Sequence, residues 1–385
     1  MKLRTDIPGG NFCLEKIEGH TVLGRQEMRD TAEWWFHWRF LMEDLEPGES
    51  WRVEFTDGEV VGYWGPAVKW ADEEWHCLGE KSRMSGSCFV FRVPEECRRA
   101  EFAFSLPYDM ADWQRFIRRY DTLPFVQNGV LCSSRKGRDV PYLRIGQDAP
   151  HGRLILTARH HACETTGNYF MEGILSELLQ REDPLIYPIL QRYEVLAIPF
   201  MDLDGVVDGD QGKARAPHDH NQDYREGRYP SVRSVKKWID EAPKDLILID
   251  CHSPWKWGAQ NDHVFMVRPK TKQTAIEDSK VGREIRLECM REHPTHCLIY
   301  EQLVDKKVQT DWNGHYLTDA ETEKLRGAMA VNSSGYAAQH GAKIAFSMET
   351  TYFGTPHNRT SQESMRNLGR KVALGLEHYL CMSED

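Results

Sequence analysis

A change of pattern part-way along the chain constrains the fold most. Up to about residue 110, short apolar bursts are broken by turn residues. Trp51-Arg52-Val53-Glu54-Phe55, Phe89-Val90-Phe91-Arg92-Val93 and Glu101-Phe102-Ala103-Phe104-Ser105 are examples, separated by pairs such as Pro47-Gly48 and Asp57-Gly58. Several alternate with period two, which puts one set of side chains on one face. Many such runs predict an antiparallel β-sandwich. From about residue 150 the rhythm is different. Leu154–Ala158, Glu194–Pro199, Leu246–Asp250, Val264–Val267 and Lys343–Met348 read as short buried strands. Gly167–Leu179, Ser231–Glu241, Thr274–Met290, Ala320–Gln339 and Ser361–Leu380 read as helices between and after them. Strand–helix alternation implies a largely parallel or mixed sheet covered by helices. The expected fold class is α/β: an antiparallel β-sandwich over residues 1–125, then an α/β/α domain with a mixed sheet over residues 126–385. Residues 110–150 read as a connector with a helix at Trp113–Tyr120.

Composition narrows the function classes. Lys and Arg number 49 against 59 Asp and Glu, a formal charge of −10, so the chain lacks the basic field of nucleic-acid binders. A hydrophobic content of 40% supplies a core and excludes disorder for most of the chain. No apolar run approaches the roughly 18 residues that span a bilayer, and the N-terminus lacks an apolar leader segment. Neither a nucleic acid nor a membrane is an expected partner. The ten Cys form no C-x-x-C pair and read as reduced thiols of a cytoplasmic protein.

In open α/β sheets, ligands bind outside the carboxyl ends of the strands. Chemistry-bearing residues collect there. Leu154–Ala158 is followed by Arg159-His160-His161-Ala162-Cys163-Glu164, Leu246–Asp250 by Cys251-His252, and Lys343–Met348 by Glu349. His161 and Glu164, three residues apart, are close enough to share one ion, and His252 offers a third ligand. Two His and one Glu with an open fourth position form a catalytic zinc set. A carboxylate outside the ligand set must then take a proton from water, and Glu349 is placed for it. H-x-x-E alone is a weak signal in a chain with sixteen His. The coincidence of several strand ends is the stronger one. Plainer roles suit the neighbours: His160, His218 and His220 pack or cap polar loops, Cys163 fills space, and Trp255 and Trp257 shape a pocket or join a core.

Four segments resemble the zinc metallocarboxypeptidases, and within them the cytosolic carboxypeptidase branch. Ala158-Arg159-His160-His161-Ala162-Cys163-Glu164-Thr165 is similar to that branch's A-R-x-H-P-G-E-T, which makes His161 rather than His160 the ligand. Asp204-Gly205-Val206 resembles the end of N-P-D-G-V, Asp250-Cys251-His252 the segment of the second zinc His, and Phe346–Gly354 the segment with the general base. Trp35–Phe40 and Pro107-Tyr108-Asp109 resemble the sandwich that precedes the catalytic domain. The resemblance implies one Zn2+ per chain on His161, Glu164 and His252, with Glu349 as base and then acid. It implies that Asp219 orients His161 and that Asn221 helps hold the substrate's terminal carboxylate. The Arg that completes that clamp is Gln222 here, with Arg225 a spatial substitute. The oxyanion Arg has no clean match: Lys213 or Arg215 takes its place, Arg215 being preferred for its planar donors. The mobile active-site Tyr falls on Val331, with Tyr336 as a stand-in. The implied activity is hydrolysis of C-terminal peptide bonds in peptides or proteins. An amidase or deacylase of small acylated amino acids is the alternative, favoured by Gln222. A binding module without catalysis and a structural zinc staple are less consistent with an open ligand set and a retained base. Neither sequence nor resemblance gives an oligomeric state.

Overall fold

In a computed structural model, which describes residues 1–71, 73–146, 150–180, 188–215, 218–243, 245–268, 272–291, 298–301 and 332–382, the early apolar bursts form ten strands. These are β1 (Lys2–Arg4), β2 (Cys13–Glu18), β3 (Thr21–Arg25), β4 (Arg39–Glu43), β5 (Ser50–Phe55), β6 (Ala67–Trp70), β7 (His76–Cys77), β8 (Arg83–Ser85), β9 (Cys88–Arg92) and β10 (Arg99–Ala103). Two five-stranded sheets result, in the orders β1-β4-β10-β6-β7 and β2-β3-β5-β9-β8. One pairing departs from the antiparallel expectation: β3 and β5 are parallel. The cause is topological, because β4 crosses to the other sheet between them and β5 returns beside β3.

The tryptophans that punctuate this half fill its core. Trp38 is fully buried, lies 5.6 Å from Phe40 and 5.9 Å from Phe89 by ring centroids, and donates its Nε1–H to Val60 O at 2.8 Å. Trp38→Ala removes a large buried ring and leaves Val60 O without that donor. It is expected to cost about 3–5 kcal/mol, read as a lower urea midpoint; an unchanged midpoint contradicts a tightly packed sandwich core.

The second half builds a seven-stranded mixed sheet from β11 (Val126–Ser133), β12 (Asp139–Ile145), β13 (Gly152–Ala158), β14 (Tyr193–Ile198), β15 (Asp245–His252), β16 (Phe265–Val267) and β17 (Ile344–Glu349). Its order is β11-β12-β14-β13-β15-β17-β16, with β14, β13, β15 and β17 parallel and both edges antiparallel. The parallel strands are buried almost throughout, as continuous apolar runs require. The connector expectation for 110–150 is corrected. Residues 126–145 hold the β11–β12 hairpin, which edges the main sheet. β11 is largely solvated on both faces, so it carries no apolar alternation to read. The helix in this region spans Met110–Ile117, three residues earlier than expected, because Asp109 caps it in a reciprocal box with Asp112.

Helices Thr166–Leu179 and Gln362–Met382 cross closely on one face of the sheet. A Cβ on Gly173 would come within 2.0 Å of Arg366 O, and one on Gly369 within 2.1 Å of Phe170 O, so the crossing requires both glycines. Of the expected Ala320–Gln339 helix, Ser333–Gln339 is present, started by Asn332 Oδ1 accepting from Gly335 N–H at 2.9 Å. Its earlier part lies outside the described residues, as does Val331. Among the described residues, no helix is long and apolar enough to cross a membrane.

Candidate active site

Parallel neighbours deliver their carboxyl ends to one edge. Ala158 pairs with Cys251 and His252 with Glu349 across β13, β15 and β17, so the residues just past each strand meet. Arg159 turns the chain there with φ +60°. Its buried guanidinium donates to Ala162 O at 2.9 Å, to Tyr108 O at 2.9 Å and to Asn168 Oδ1 at 3.1 Å, which fixes the His161–Glu164 turn.

Donor atoms of His161, Glu164 and His252 lie within 4.8 Å of one another, all buried. Glu164 Oε1 sits 2.9 Å from His161 Nδ1 and Oε2 2.7 Å from His252 Nδ1. The far nitrogens face other carboxylates: His161 Nε2 is 3.4 Å from Asp219 Oδ1, and His252 Nε2 is 2.9 Å from Asp250 Oδ2. A carboxylate behind each imidazole orients ring and tautomer for metal binding. Asp219 therefore lies where orientation of His161 requires. Asp250, two residues before His252, is not among the residues the sequence singles out; an acid at that spacing is the signal for it. It also accepts from Thr157 Oγ1 at 2.8 Å and lies 3.0 Å from His160 Nδ1, and His160 Nε2 is 2.9 Å from Tyr224 Oη. His160 is thus committed to this buried network.

Charge at the site favours a cation. Burial alone would raise the Glu164 carboxyl, but Lys213, His161 and His252 hold it well below the usual range. Glu164, Asp219, Asp250 and Glu349 place four carboxylates around the two imidazoles, with Lys213 the one ammonium in contact among the described residues. Two imidazoles and one carboxylate, with surplus negative charge and each ring backed by an acid, fit zinc.

The trio opens on a cleft of ≈490 Å³ whose lining includes Lys213, Asn221, Asn332, Ser347 and Glu349, with Trp35 and Trp255 at the aromatic side. Glu349 is 8% exposed and its Oε2 has no hydrogen-bond partner. Burial pushes its carboxyl up, partly offset by His252. Asn221 Oδ1 is likewise buried without a partner. Lys213 Nζ reaches Glu164 Oε1 at 2.7 Å and Ser253 O at 3.3 Å.

Other expected residues are not brought here. Arg215 is held by Asp202 at 2.8 Å, Asp210 at 2.6 Å and Asp30 at 3.6 Å, outside the cleft lining. The preference for Arg215 over Lys213 does not fit this placement: three carboxylates surround its guanidinium and hold it away from the cleft. Gln222 and Arg225 are exposed and do not line the cleft. Tyr336 donates to Asp240 Oδ1 at 2.8 Å and stacks on His340 at 4.0 Å, away from the lining. His218 pairs with Asp223 and His220 stacks on Tyr229, in keeping with loop packing.

Known proteins agree with this architecture. Cytosolic carboxypeptidase 6 of Caenorhabditis elegans is 25% identical over 214 residues, covering 52% of this chain and 45% of that protein. Cytosolic carboxypeptidase 2 of Danio rerio is 31% identical over 197 residues, covering 46% and 26%. The chain thus spans less than half the length of these two relatives. A metallo-carboxypeptidase from Pseudomonas aeruginosa, solved in complex with (2-guanidinoethylmercapto)succinic acid, has the same fold, with TM-score 0.77 at 19% identity over 99% of both chains. One from Burkholderia cenocepacia matches with TM-score 0.77 at 16% identity, also over 99% of both. Residues 124–240, which run from β11 past β14 and carry His161, Glu164 and Asp219, match the zinc carboxypeptidase family model.

Proposed function

We propose that the chain hydrolyses C-terminal peptide bonds of peptides or proteins, with zinc held by His161, Glu164 and His252. One observation carries the reading: a buried carboxylate with an unpartnered oxygen, Glu349, shares a cleft with the His161–Glu164–His252 trio and Lys213. When bound, zinc supplies a Lewis acid that polarises the scissile carbonyl and acidifies water. Glu349 accepts the proton of the attacking water and passes it to the leaving nitrogen. Lys213 stabilises the negative charge that grows on the carbonyl oxygen. Asp219 and Asp250 keep His161 and His252 oriented. Asn221 offers its amide to the substrate's terminal group. The relatives' printed name and the absence of any disulfide among the nine described cysteines support a cytoplasmic setting.

A second reading, an amidase or deacylase of small acylated amino acids, draws on one observation. Among the described residues no arginine lines the cleft, so no bidentate fork for a terminal carboxylate is seen there. Mass spectrometry of a peptide library incubated with the zinc-loaded chain separates the two. Ladders shortened from the C-terminus are expected. Intact peptides beside cleaved N-acyl amino acids make it a deacylase instead.

A further inference from the structure

Lys213 is held partly from outside its own domain. Asp30, between β3 and β4 in the N-terminal sandwich, accepts from the N–H of Gln211 at 3.0 Å and of Gly212 at 2.8 Å, the two residues before Lys213. Gln211, fully buried, grips back: its Nε2 donates to Glu27 O at 3.1 Å and to His37 O at 2.8 Å, and its Oε1 accepts from His37 N–H at 2.9 Å. The other side of this loop lies against the metal-ligand turn. Cys163 N–H donates to Gln211 O at 3.1 Å, and a Cβ on Gly212, whose φ is +83°, would come within 2.1 Å of Ala162 N. The loop is wedged between the sandwich and the turn that carries His161 and Glu164. The sandwich also touches the side chain, since Lys213 Nζ sits 5.3 Å from the ring centroid of Trp35. Trp35 is itself anchored, its carbonyl accepting from Gln26 Nε2 at 3.1 Å.

We propose that Asp30 and Trp35 are positioning residues that fix the Lys213 ammonium in the cleft, so that the N-terminal sandwich is a working part of the active site. The proposal rests on the reading of Lys213 given above. Lysine is a point charge on a flexible stem with about 2 kcal/mol of rotamer entropy. It stabilises a developing charge only if held in place beforehand. Asp30 fixes its backbone, and Trp35 fixes its head by a cation–π contact.

Two readouts on the zinc-loaded full chain test this. The first is a double-mutant cycle on a C-terminal peptide substrate. Asp30→Ala is expected to lower kcat about ten- to hundredfold with KM little changed. It should lower kcat hardly further in the Lys213→Met background, because its effect passes through Lys213. Asp30→Asn, which keeps one acceptor oxygen, should fall between. Additive losses overturn the proposal. The second readout needs no turnover: labelling of Lys213 by an amine-reactive ester, followed by peptide mass mapping with exposed Lys16 and Lys280 as references. Labelling of Lys213 should rise several-fold in Asp30→Ala and in Trp35→Ala while the references stay constant. Unchanged labelling overturns the proposal. If the wild type cleaves no peptide, the proposed function falls, and the labelling ratio alone decides the positioning.

Discussion

Glu349→Gln is expected to lower kcat about 10²–10⁴-fold, the contribution typical of a general acid–base group, while zinc content and peptide affinity stay near wild type. Gln keeps the shape of the side chain and removes its basicity. Glu349 stands at the end of β17, opposite His252 in register, and lies outside the ligand trio. The substitution therefore leaves His161, Glu164 and His252 in place. Its neutral amide also relieves the repulsion from Glu164 that, with burial, raises this carboxyl. The folded protein should thus be no less stable. Steady-state kinetics with metal analysis on the same preparation check this. A large fall in both zinc content and activity would instead make Glu349 a ligand, and full activity would remove it from the mechanism.

How much of this was legible in the sequence follows from what each residue's role depends on. The five buried strands of the second half were readable because burial on both faces leaves an unbroken apolar run. His161, Glu164, His252 and Glu349 were readable because parallel strands bring their carboxyl ends to one edge, so position along the chain maps onto position in space. The β11–β12 hairpin was not, since an edge strand in water has no pattern to keep. Arg215 ranks above Lys213 on its planar donors alone, and that order does not fit the structure, because the choice depends on Asp30, Asp202 and Asp210, of which only Asp210 is near in sequence. Asp30 lies 185 residues before Arg215, so its hold on the Lys213 loop leaves no spacing to detect. Arg225 and Tyr336 failed for a related reason: a resemblance fixes position along the chain, whereas entry to the cleft depends on how an irregular loop is folded.

Glu164→Ala should abolish stoichiometric zinc and destabilise the fold by about 3–5 kcal/mol, the usual cost of removing one partner of a buried ion pair. Glu164 is fully buried and serves three neighbours at once: His161 Nδ1 at 2.9 Å, His252 Nδ1 at 2.7 Å and Lys213 Nζ at 2.7 Å. Without it the Lys213 ammonium stays buried against Ser253 O alone among its hydrogen-bond partners, and two imidazoles lose their shared acceptor. Chelation of wild-type protein separates the two effects. Removing zinc present at a thousandfold excess over its dissociation constant should lower stability by about 4 kcal/mol, reversibly, with the Glu164–Lys213 pair intact. Glu164→Gln keeps the shape and loses the charge. It should lose zinc like the Ala variant but be destabilised less, because its amide oxygen still accepts from Lys213. Metal content by elemental mass spectrometry and urea midpoints with and without chelator distinguish the three. If Glu164→Ala retains one zinc per chain, the ligand set is wrong. If its midpoint equals that of chelated wild type, Glu164 serves the metal alone and its pairing with Lys213 contributes nothing to the fold.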